Sequence, residues 1–422
     1  MQFKKIKFRN GLRLILSPMT ETKAVTALVL FKVGSRYENK DINGISHFVE
    51  HMMFKGSKKR PSTLDISKEL DSVGAEYNAF TAKDHTGYYV KVSSDKVELA
   101  LDMLSDILYN SKFDSQEIER EKQVIIEEIN MVEDNPMMYI GDIFEQTLYG
   151  NEPLGWQISG TRDRVRHIKR ENILDYIKRY YQPANTLIAI AGRFDKNLLD
   201  LTKKYFHISS SRRPAPSFKK IKVIQGKPRV NLNFKETEQV HVCLGFPSYS
   251  YFDNRIYPLH LLSIILGGNM SSRLFISIRE RLSLAYFIRS SVSLYQDTGN
   301  LVIQAGLDKR RVEEAIRAIL EELRKVKREK VSPEELRKAK DYSKGKLILE
   351  LESSESIASW LSRQELLLDR IMTPKQQIIK LEKVTSLDIQ KVANDIVKNT
   401  KINLAMIGPF KDSTKLQRLL KI

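Results

Sequence analysis

The stretch TLIAIAGRFDKNLLDLTKKYF, residues 186–206, has a counterpart in INLAMIGPFKDSTKLQRLLK, residues 402–421. Each copy contains an apolar run typical of a buried strand, a Gly-x-Phe turn, and a segment whose apolar residues follow helical spacing. Gly192 corresponds to Gly408, and Phe194 to Phe410 at the same offset. Two copies of one strand–turn–helix unit at a constant offset indicate that the two halves share one fold.

The repeat extends upstream of both copies. At the same offset, four positions with helical spacing correspond: Ile168, Ile173, Tyr176 and Tyr180 with Val384, Ile389, Val392 and Ile396. Nearer the start of each half, SRYEN (35–39) matches SYFDN (250–254) at an offset shorter by a single position. Coincidental strand-plus-helix patterns are the alternative, but we interpret the match as an internal duplication.

The midpoint of the chain reads as a linker, because ISSSRRPAPSFKK (208–220) is rich in Ser, Pro and basic residues and has no hydrophobic period. We therefore predict a first domain at residues 1–210, a linker at 211–220 and a second domain at 221–422. The hydrophobic patterns predict strands and helices at the following places: strands at 13–17, 25–33 and 86–93, and helices at 43–55, 63–73, 95–110 and 115–148. The expected fold class is α+β, with helices packed on a mainly antiparallel sheet in each half.

Composition restricts the class of protein. The chain has 422 residues, is 41% hydrophobic and 29% charged, and therefore can bury sizeable cores in two or three domains. Its formal net charge of +18 is compatible with a nucleic-acid or acidic membrane partner. However, the basic residues alternate with glutamate, as in KRRVEEAIRAILEELRKVKREK (309–330), which is typical of solvated helix faces. No aromatic-basic module is present, so we expect no nucleic-acid partner.

Cys243 is the only cysteine, which excludes an intrachain disulfide. The first residues, MQFKKIKFRNGLRLILSP, lack the apolar core of a signal peptide, and no run of about 18 apolar residues occurs. We expect a soluble cytoplasmic protein without a membrane span.

The stretch HFVEHMMFKG, residues 47–56, places two of seven histidines four residues apart. On a helix, His47 and His51 would project from one face, which is the geometry that two zinc ligands require. Glu50 would border that face and reach a metal-bound water without having to ligate the ion. A pair of surface or core histidines is the alternative, but only about one such chain in a hundred would contain H-x-x-E-H by chance.

A third ligand could come from the acidic segment SQEIEREKQVIIEEINMVED, residues 115–134. Glu121 and Glu128 are two helical turns apart and face the same way. Glu127 is rotated from Glu128 by about 100 degrees around the helix axis and faces another direction. An acidic run is by itself more often a solvated face. Spacing alone therefore assigns no ligand here.

Together, HFVEHMMFKG, YNAFTAKDHTGYYV (77–90) and EREKQVIIEEI (119–129) resemble the pitrilysin family of zinc metallopeptidases, whose inverted motif is H-x-x-E-H. The similarity is greatest to the short two-domain branch that includes the catalytic subunit of mitochondrial processing peptidase and its bacterial relatives, and it covers essentially the whole chain. It implies a zinc metalloendopeptidase that holds one Zn²⁺ per chain and hydrolyses peptides or unfolded protein segments.

The resemblance also implies roles for residues of the first half. His47, His51 and Glu128 would bind zinc, and Glu50 would be the general base acting on a zinc-bound water. Glu121 matches an acidic residue that supports the metal site from behind the ligands.

Other roles follow from the resemblance less directly. Glu127 is the alternative ligand if the register shifts by one residue. Asn78 and Ala79 match substrate-binding positions near the sheet edge, and a turn residue is the alternative for Asn78. Arg279 and Tyr286 in the second half match an arginine and a tyrosine that assist catalysis.

The second half lacks the metal motif. In the register set by SRYEN and SYFDN, the counterparts of the first-half motif are apolar: Leu262, Ile265 and Leu266. We therefore expect one metal site per chain. The family implies four domains around a chamber, so a homodimer is expected, with a heterodimer of related chains as the alternative. A catalytically silent structural subunit of the same fold is the competing hypothesis.

Overall fold

The computed structural model describes residues 1–207 and 215–422. Its strands are β1 Lys4–Lys7, β2 Arg13–Pro18, β3 Ala24–Phe31, β4 Glu76–Thr81, β5 Thr86–Ser93, β6 Thr186–Gly192, β7 Arg229–Phe234, β8 Gln239–Ser248, β9 Ala285–Leu294, β10 Gly299–Asp308 and β11 Asn403–Gly408. The predicted end of the first domain at residue 210, and residues 211–214 of the predicted linker, lie outside the described residues.

The helices of the first half include α1 and α4, which carry the H-x-x-E-H motif and the acidic segment. They are α1 Ile45–Met52, α2 Thr63–Asp71, α3 Val97–Tyr109, α4 Ser115–Asp134, α5 Pro136–Tyr149, α6 Arg162–His167, α7 Arg170–Tyr180 and α8 Leu198–Tyr205. Those of the second half are α9 Ile256–Gly267, α10 Val312–Arg328, α11 Pro333–Glu350, α12 Ser354–Leu368, α13 Pro374–Glu382, α14 Ser386–Ile396 and α15 Thr414–Leu419. A π-helical segment spans Phe275–Arg281.

Two mainly antiparallel sheets confirm the predicted α+β class. The first has the strand order β1-β2-β6-β3-β5-β4, and the second has β7-β11-β8-β10-β9. Apart from β1, the two orders correspond strand for strand, and each contains one parallel pair, β2 with β6 and β7 with β11. Helices α7 and α14 start and end at positions related by the offset that links Gly192 to Gly408. The predicted duplication is therefore present in the fold.

The chain forms two compact units, and neither is a continuous half. The first unit contains Met1–Asn130, Trp156–Lys219 and Ile348–Thr373, and the second contains Met131–Gly155, Lys220–Leu347 and Pro374–Ile422. Helix α12 packs on β3 and β6 of the first unit, and α5 packs on β8 and β11 of the second. Each unit thus takes one helix from the other half of the sequence, which the ranges 1–210 and 221–422 do not anticipate.

The predicted helix at 115–148 is wrong, because α4 and α5 are separate. Asn135 caps α5, its side-chain oxygen accepting the backbone N–H groups of Met137 and Met138 at 3.1 and 3.4 Å. Pro136 has no N–H to donate and disfavours helical geometry in the residue before it, so the chain turns at this point. Strand β4 was also missing from the strands predicted by hydrophobic pattern.

The first unit is built around one large apolar core, to which the sheet and helices α1, α3 and α4 all contribute buried residues. Ile45, Phe48, Val49 and Met52 of α1 are all 1% exposed or less. Cys243 is buried in β8 of the second unit. None of the helices in the described part of the chain has the length and apolar character that a membrane-spanning helix requires.

Candidate metal centre

Helix α1 begins at a buried carboxylate. Glu38 accepts the backbone N–H groups of Gly44 and Ser46, both at 2.8 Å, and the side-chain amide of Asn43 at 2.9 Å. These bonds satisfy donors that the first turn of a helix leaves unpaired, and the negative charge complements the helix dipole. Gly44 has φ of +98°, and a Cβ there would lie 2.6 Å from the carbonyl oxygen of Ser159. Only glycine fits this entry to α1.

The apolar face of α1 fixes the direction of its polar face. Because Phe48, Val49 and Met52 are buried in the core, His47 and His51 are turned toward the neighbouring helix α4. Their side chains are only 12% and 20% exposed. The two imidazoles are therefore held in a partly buried position one turn apart.

Three donor atoms converge between α1 and α4. The Nε2 atoms of His47 and His51 are 3.2 Å apart. A carboxylate oxygen of Glu128 lies 3.6 Å from the Nε2 of His47 and 3.4 Å from that of His51. The structure thus brings together the three residues that the sequence predicted as ligands, although they come from two helices that are distant in the chain.

This donor set fits a zinc ion. In a tetrahedral site with bonds of about 2.0–2.2 Å, neighbouring ligand atoms lie roughly 3.3–3.6 Å apart. The observed separations of 3.2, 3.4 and 3.6 Å match that spacing. Two imidazole nitrogens and one carboxylate leave a fourth position for water, as catalytic zinc sites do.

Glu121 supports His51 from the side away from Glu128. Its carboxylate oxygen Oε1 lies 2.8 Å from Nδ1 of His51, and Oε2 lies 2.7 Å from the ammonium group of Lys55. A carboxylate behind a ligating histidine fixes its ring orientation and raises its basicity. Lys55 keeps this carboxylate paired although the Glu121 side chain is only 4% exposed.

The carboxylates of Glu121 and Glu128 favour the protonated, positively charged form of His51. Burial opposes the charged ring, yet the hydrogen bonds to Glu121 and Glu128 raise the pKa of His51 to about 9. Burial and the neighbouring His51 lower the pKa of His47 to about 4. A divalent cation would supply the same positive charge, because metal binding replaces the proton on a ligating group.

Glu50 lies beside the three donors but does not belong to their cluster. Burial raises the pKa of its carboxyl group, against the opposing effect of a hydrogen bond from the hydroxyl of Thr81 at 2.5 Å. The charges of His51 and Glu128 also act on Glu50. A carboxylate with a raised pKa near a water position is suited to proton transfer close to neutral pH.

Asn78 and Ala79 lie on β4, which is the last strand of its sheet and contacts α1. The side-chain oxygen of Asn78 accepts the backbone N–H of Ala79 at 2.8 Å. An edge strand can pair with an added extended segment. The structure thus places Asn78 in a strand, and the alternative turn assignment for this residue is wrong.

Arg279 and Tyr286 belong to the second unit and lie together there. Arg279 is in the π-helical segment, with its guanidinium 4.6 Å from the ring centre of Phe275. Tyr286 is on β9 and is 74% exposed. Both line an open pocket of about 670 Å³ that also contains Gln239 and Asp308.

Glu127 does not take part in the cluster, since its carboxylate accepts the side-chain amide of Asn130 at 3.3 Å. Sequence reasoning missed Lys55 and Thr81, which bind Glu121 and Glu50. Thr81 belongs to the quoted segment 77–90, and an alternating pattern that identified β4 would have drawn attention to it. Lys55 lies just after α1 and its partner Glu121 lies on α4, far along the chain, so local sequence carries no signal for that pair.

Comparison with known proteins places these features in a family context. Residues 13–162 match the description "Insulinase (Peptidase family M16)". Residues 167–342 match "Peptidase M16 inactive domain". The first match contains every residue of the metal centre, and the second contains Arg279 and Tyr286.

Full-length relatives show the same similarity. The chain is 36% identical to an uncharacterized zinc protease of Bacillus subtilis, YmxG, over 96% of this chain and 98% of that protein. It superposes on a protease from Helicobacter pylori with a TM-score of 0.91 and 25% identity, covering 97% and 99% of the two chains. A Pseudomonas fluorescens structure described as a peptidase M16 inactive domain has the same fold, with a TM-score of 0.89, 16% identity, and 97% and 99% coverage.

Proposed function

The chain belongs to peptidase family M16, the pitrilysin-type zinc proteases in a short two-domain form, and on that basis we propose that it is an active zinc endopeptidase for peptides or unfolded protein segments. The observation that carries the proposal is the cluster of His47, His51 and Glu128, with separations of 3.2–3.6 Å, and the carboxylate of Glu50 outside that cluster. One Zn²⁺ per chain would be held there. Zinc supplies Lewis acidity, which polarises the scissile carbonyl and acidifies water.

Glu50 performs the proton transfers in this proposal. In its ionised form it takes the proton of the attacking water, and it later passes that proton to the departing amine. The hydrogen bond from Thr81 keeps one oxygen fixed, so the other is free to receive the proton. Glu121 and Lys55 act only on the orientation and basicity of His51.

The substrate would bind as an added strand at the free edge of β4. Backbone hydrogen bonds of this kind accept many side-chain sequences, which suits peptides and unfolded segments. The side chain of Asn78 now satisfies the N–H of Ala79, so an incoming backbone carbonyl would displace it. Because β4 ends at Thr81, the bound strand would lead toward Glu50.

Arg279 and Tyr286 would assist the reaction from the second unit. An arginine can hold substrate carbonyls, and a tyrosine hydroxyl can stabilise the oxyanion of a tetrahedral intermediate. The exposure of Tyr286 and its place with Arg279 in one open pocket support a ligand-contacting role. In a homodimer, which we propose by family resemblance, the pair would serve the partner subunit's metal site.

Peptide cleavage under metal control tests the proposal. We expect the zinc-loaded protein to cleave a mixed peptide pool, with products identified by mass spectrometry. Treatment with 1,10-phenanthroline should abolish cleavage, and added Zn²⁺ should restore it. Absence of cleavage by fully zinc-loaded protein would contradict the proposal and favour a silent structural subunit.

Mixing two inactive variants tests the dimer. Glu50→Gln removes the base, and Arg279→Ala removes the assisting arginine. If the arginine serves the partner's site, each mixed dimer regains one complete site of two. Random pairing makes about half of the dimers mixed, so an equal mixture should regain about a quarter of wild-type activity. If the two residues serve the same chain, mixing restores nothing.

A further inference from the structure

A groove on the second unit lies where the loop after β8 and the start of α9 meet α13 and α14. Its volume is about 370 Å³, within the size range of ligand sites. The floor consists of buried residues, Tyr249, Tyr257, Pro258, Val384 and Val392. We call it the α9–α14 groove.

In the first unit, larger side chains fill the place that corresponds to the α9–α14 groove. Helix α7 carries Tyr176 and Tyr180 at the positions where α14 carries Val392 and Ile396. The hydroxyl of Tyr176 lies 2.7 Å from that of Ser46, and the ring of Tyr180 contacts that of Tyr37 at a centroid distance of 5.9 Å. Smaller side chains at the α14 positions leave space in the second unit.

The side chain of Phe218 covers part of this face in the first unit. The ring of Phe218 lies 5.4 Å from the ring of Tyr37, and the guanidinium of Arg36 lies 3.7 Å from the centre of the Phe218 ring. The counterpart of Tyr37 is Phe252, in the turn between groove residues Tyr249 and Asn254, and its side chain is 54% exposed. In the first unit this surface thus accepts an aromatic side chain, and the corresponding surface of the second unit leaves Phe252 exposed.

The rim of the groove is positively charged. Lys380, Lys383 and Lys391 line it and are exposed, and the described residues provide none of them with an ion pair. Unpaired cations around an apolar floor select a ligand that carries both negative charge and an apolar group.

The two acidic residues of the groove are already paired. Asp388 accepts the hydroxyl and backbone N–H of Thr385 at 2.7 and 2.9 Å. Asp395 accepts the hydroxyl of Tyr249 at 2.8 Å and the guanidinium of Arg255 at 2.9 Å. Asp388 keeps its negative charge and interacts electrostatically with Lys391. The three lysines outnumber it, and Asp395 is paired with Arg255, so the rim keeps an excess of positive charge.

Arg255 packs on the aromatic wall of the groove. The guanidinium of Arg255 lies 4.0 Å from the centre of the Tyr249 ring and is also bound by Asp253 at 2.6–3.1 Å. This arrangement covers the ring of Tyr249, so the exposed aromatic side chain beside the groove is that of Phe252. A preformed wall reduces the entropy lost when a segment binds.

We propose that the α9–α14 groove binds an extended acidic polypeptide segment of another protein, which inserts one aromatic side chain against Phe252 and the apolar floor. Its carboxylates lie among Lys380, Lys383 and Lys391. The site belongs to the second unit and is separate from the metal centre. It does not depend on the proposed peptidase activity.

Titration calorimetry with a defined probe tests this site. The probe is an acetylated peptide of about eight residues, Asp and Glu with one central Phe, long enough to span such a groove in extended form. The full-length protein carries Glu50→Gln, so that the peptide is not consumed. The test variant adds Lys383→Glu and Lys391→Glu, and the matched control adds Lys330→Glu and Lys344→Glu, which are exposed lysines outside the groove.

We expect saturable binding whose Kd rises at least about tenfold in the groove variant, because two attractive charges become repulsive, and less than about twofold in the control. Replacement of the probe's Phe by Ser should also weaken binding several-fold. Circular dichroism should show both protein variants folded. Phe252→Ser, at an exposed position, should reproduce the loss without changing net charge.

Three results would overturn the proposal. Equal weakening in the groove and control variants would mean a response to net charge alone. An unchanged Kd for the Ser probe, together with competition by inorganic phosphate, would mean a simple anion site. Binding of phosphatidylglycerol vesicles that the groove variant loses, with no binding of the peptide, would mean a membrane surface.

Discussion

Helices α1 and α9 occupy corresponding places in the two halves, yet only α1 carries metal-binding groups. In the register of the repeat, the polar positions of α1 correspond to apolar positions of α9: His47 to Leu262, Glu50 to Ile265 and His51 to Leu266. The three apolar residues are 0–6% exposed and belong to a helix that is buried almost all round. The duplicated scaffold therefore forms this helix with or without ligands.

The difference shows what a metal site requires beyond the scaffold. In the first unit, a capping carboxylate at Glu38, supporting groups at Glu121 and Lys55, and a hydroxyl at Thr81 compensate for polar groups in a partly buried place. Such groups are costly to bury unless they are paired. In the second unit the same positions contribute only to packing.

Replacement of Glu50, the proposed general base, should have the largest effect on catalysis. Glu50→Gln removes the proton acceptor but keeps the hydrogen bond from Thr81, so we expect kcat to fall by about 10²–10⁴-fold. The zinc content should stay at the wild-type value, as measured by atomic absorption. Near-wild-type peptide cleavage by this variant would contradict the assignment of the base.

The corresponding helix of the second unit should respond in stability instead. Leu262→Ala leaves a cavity at a fully buried position, and we expect the free energy of unfolding to fall by about 2–5 kcal/mol. Zinc content should not change. Urea denaturation monitored by circular dichroism measures the free energy of unfolding. A loss of zinc from Leu262→Ala would contradict the assignment of metal binding to α1 and of packing to α9.

The support behind His51 should have an intermediate effect. Glu121→Gln removes the charge that raises the basicity of the ring, so zinc affinity should fall by about 10–100-fold in a chelator competition assay. Lys55→Met leaves Glu121 in place and should weaken affinity less. If Glu121→Gln binds zinc as tightly as the wild type, Glu121 has no supporting role.

Removal of the Thr81 hydroxyl should have the smallest effect on activity, and the size of this effect should depend on pH. Its hydrogen bond lowers the pKa of Glu50, so Thr81→Val should raise that pKa further. The base must be ionised, so activity is lost as pH falls through this pKa, and the acidic limb of kcat/KM should move to higher pH. Below neutral pH we expect a loss of up to about tenfold. An unshifted limb would exclude a role for Thr81 in holding Glu50.

Much of the fold could be predicted because the same pattern of apolar residues occurs in both halves of the chain. The pattern of Ile173, Tyr176 and Tyr180 with Ile389, Val392 and Ile396 identified two helices whose bounds correspond at both ends. The break at Asn135 and Pro136 was missed, although both residues are local stop and start signals. The exchange of α5 and α12 between units has no local signal, because it depends on which sheet each helix covers.

The metal centre could be predicted only in part. The spacing of His47 and His51 indicates two ligands on one face, but spacing assigns no third ligand. The family resemblance implied Glu128, with Glu127 as the alternative, and the structure brings Glu128 to the two histidines. Lys55 and Thr81 act through contacts made by folding. Such pairs cannot be derived from local pattern, since neither residue lies within a helical turn of its partner.

Zinc content per chain tests the central claim most directly. We compare the wild type with Glu128→Gln and with Glu127→Gln, its neighbour of the same chemistry, after dialysis against a weak chelator. We predict one zinc per chain in the wild type and in Glu127→Gln, and less than about a tenth of that in Glu128→Gln, because a zinc site loses most of its affinity without an anionic ligand. Equal zinc in all three proteins, or loss in Glu127→Gln alone, would contradict the proposed metal centre.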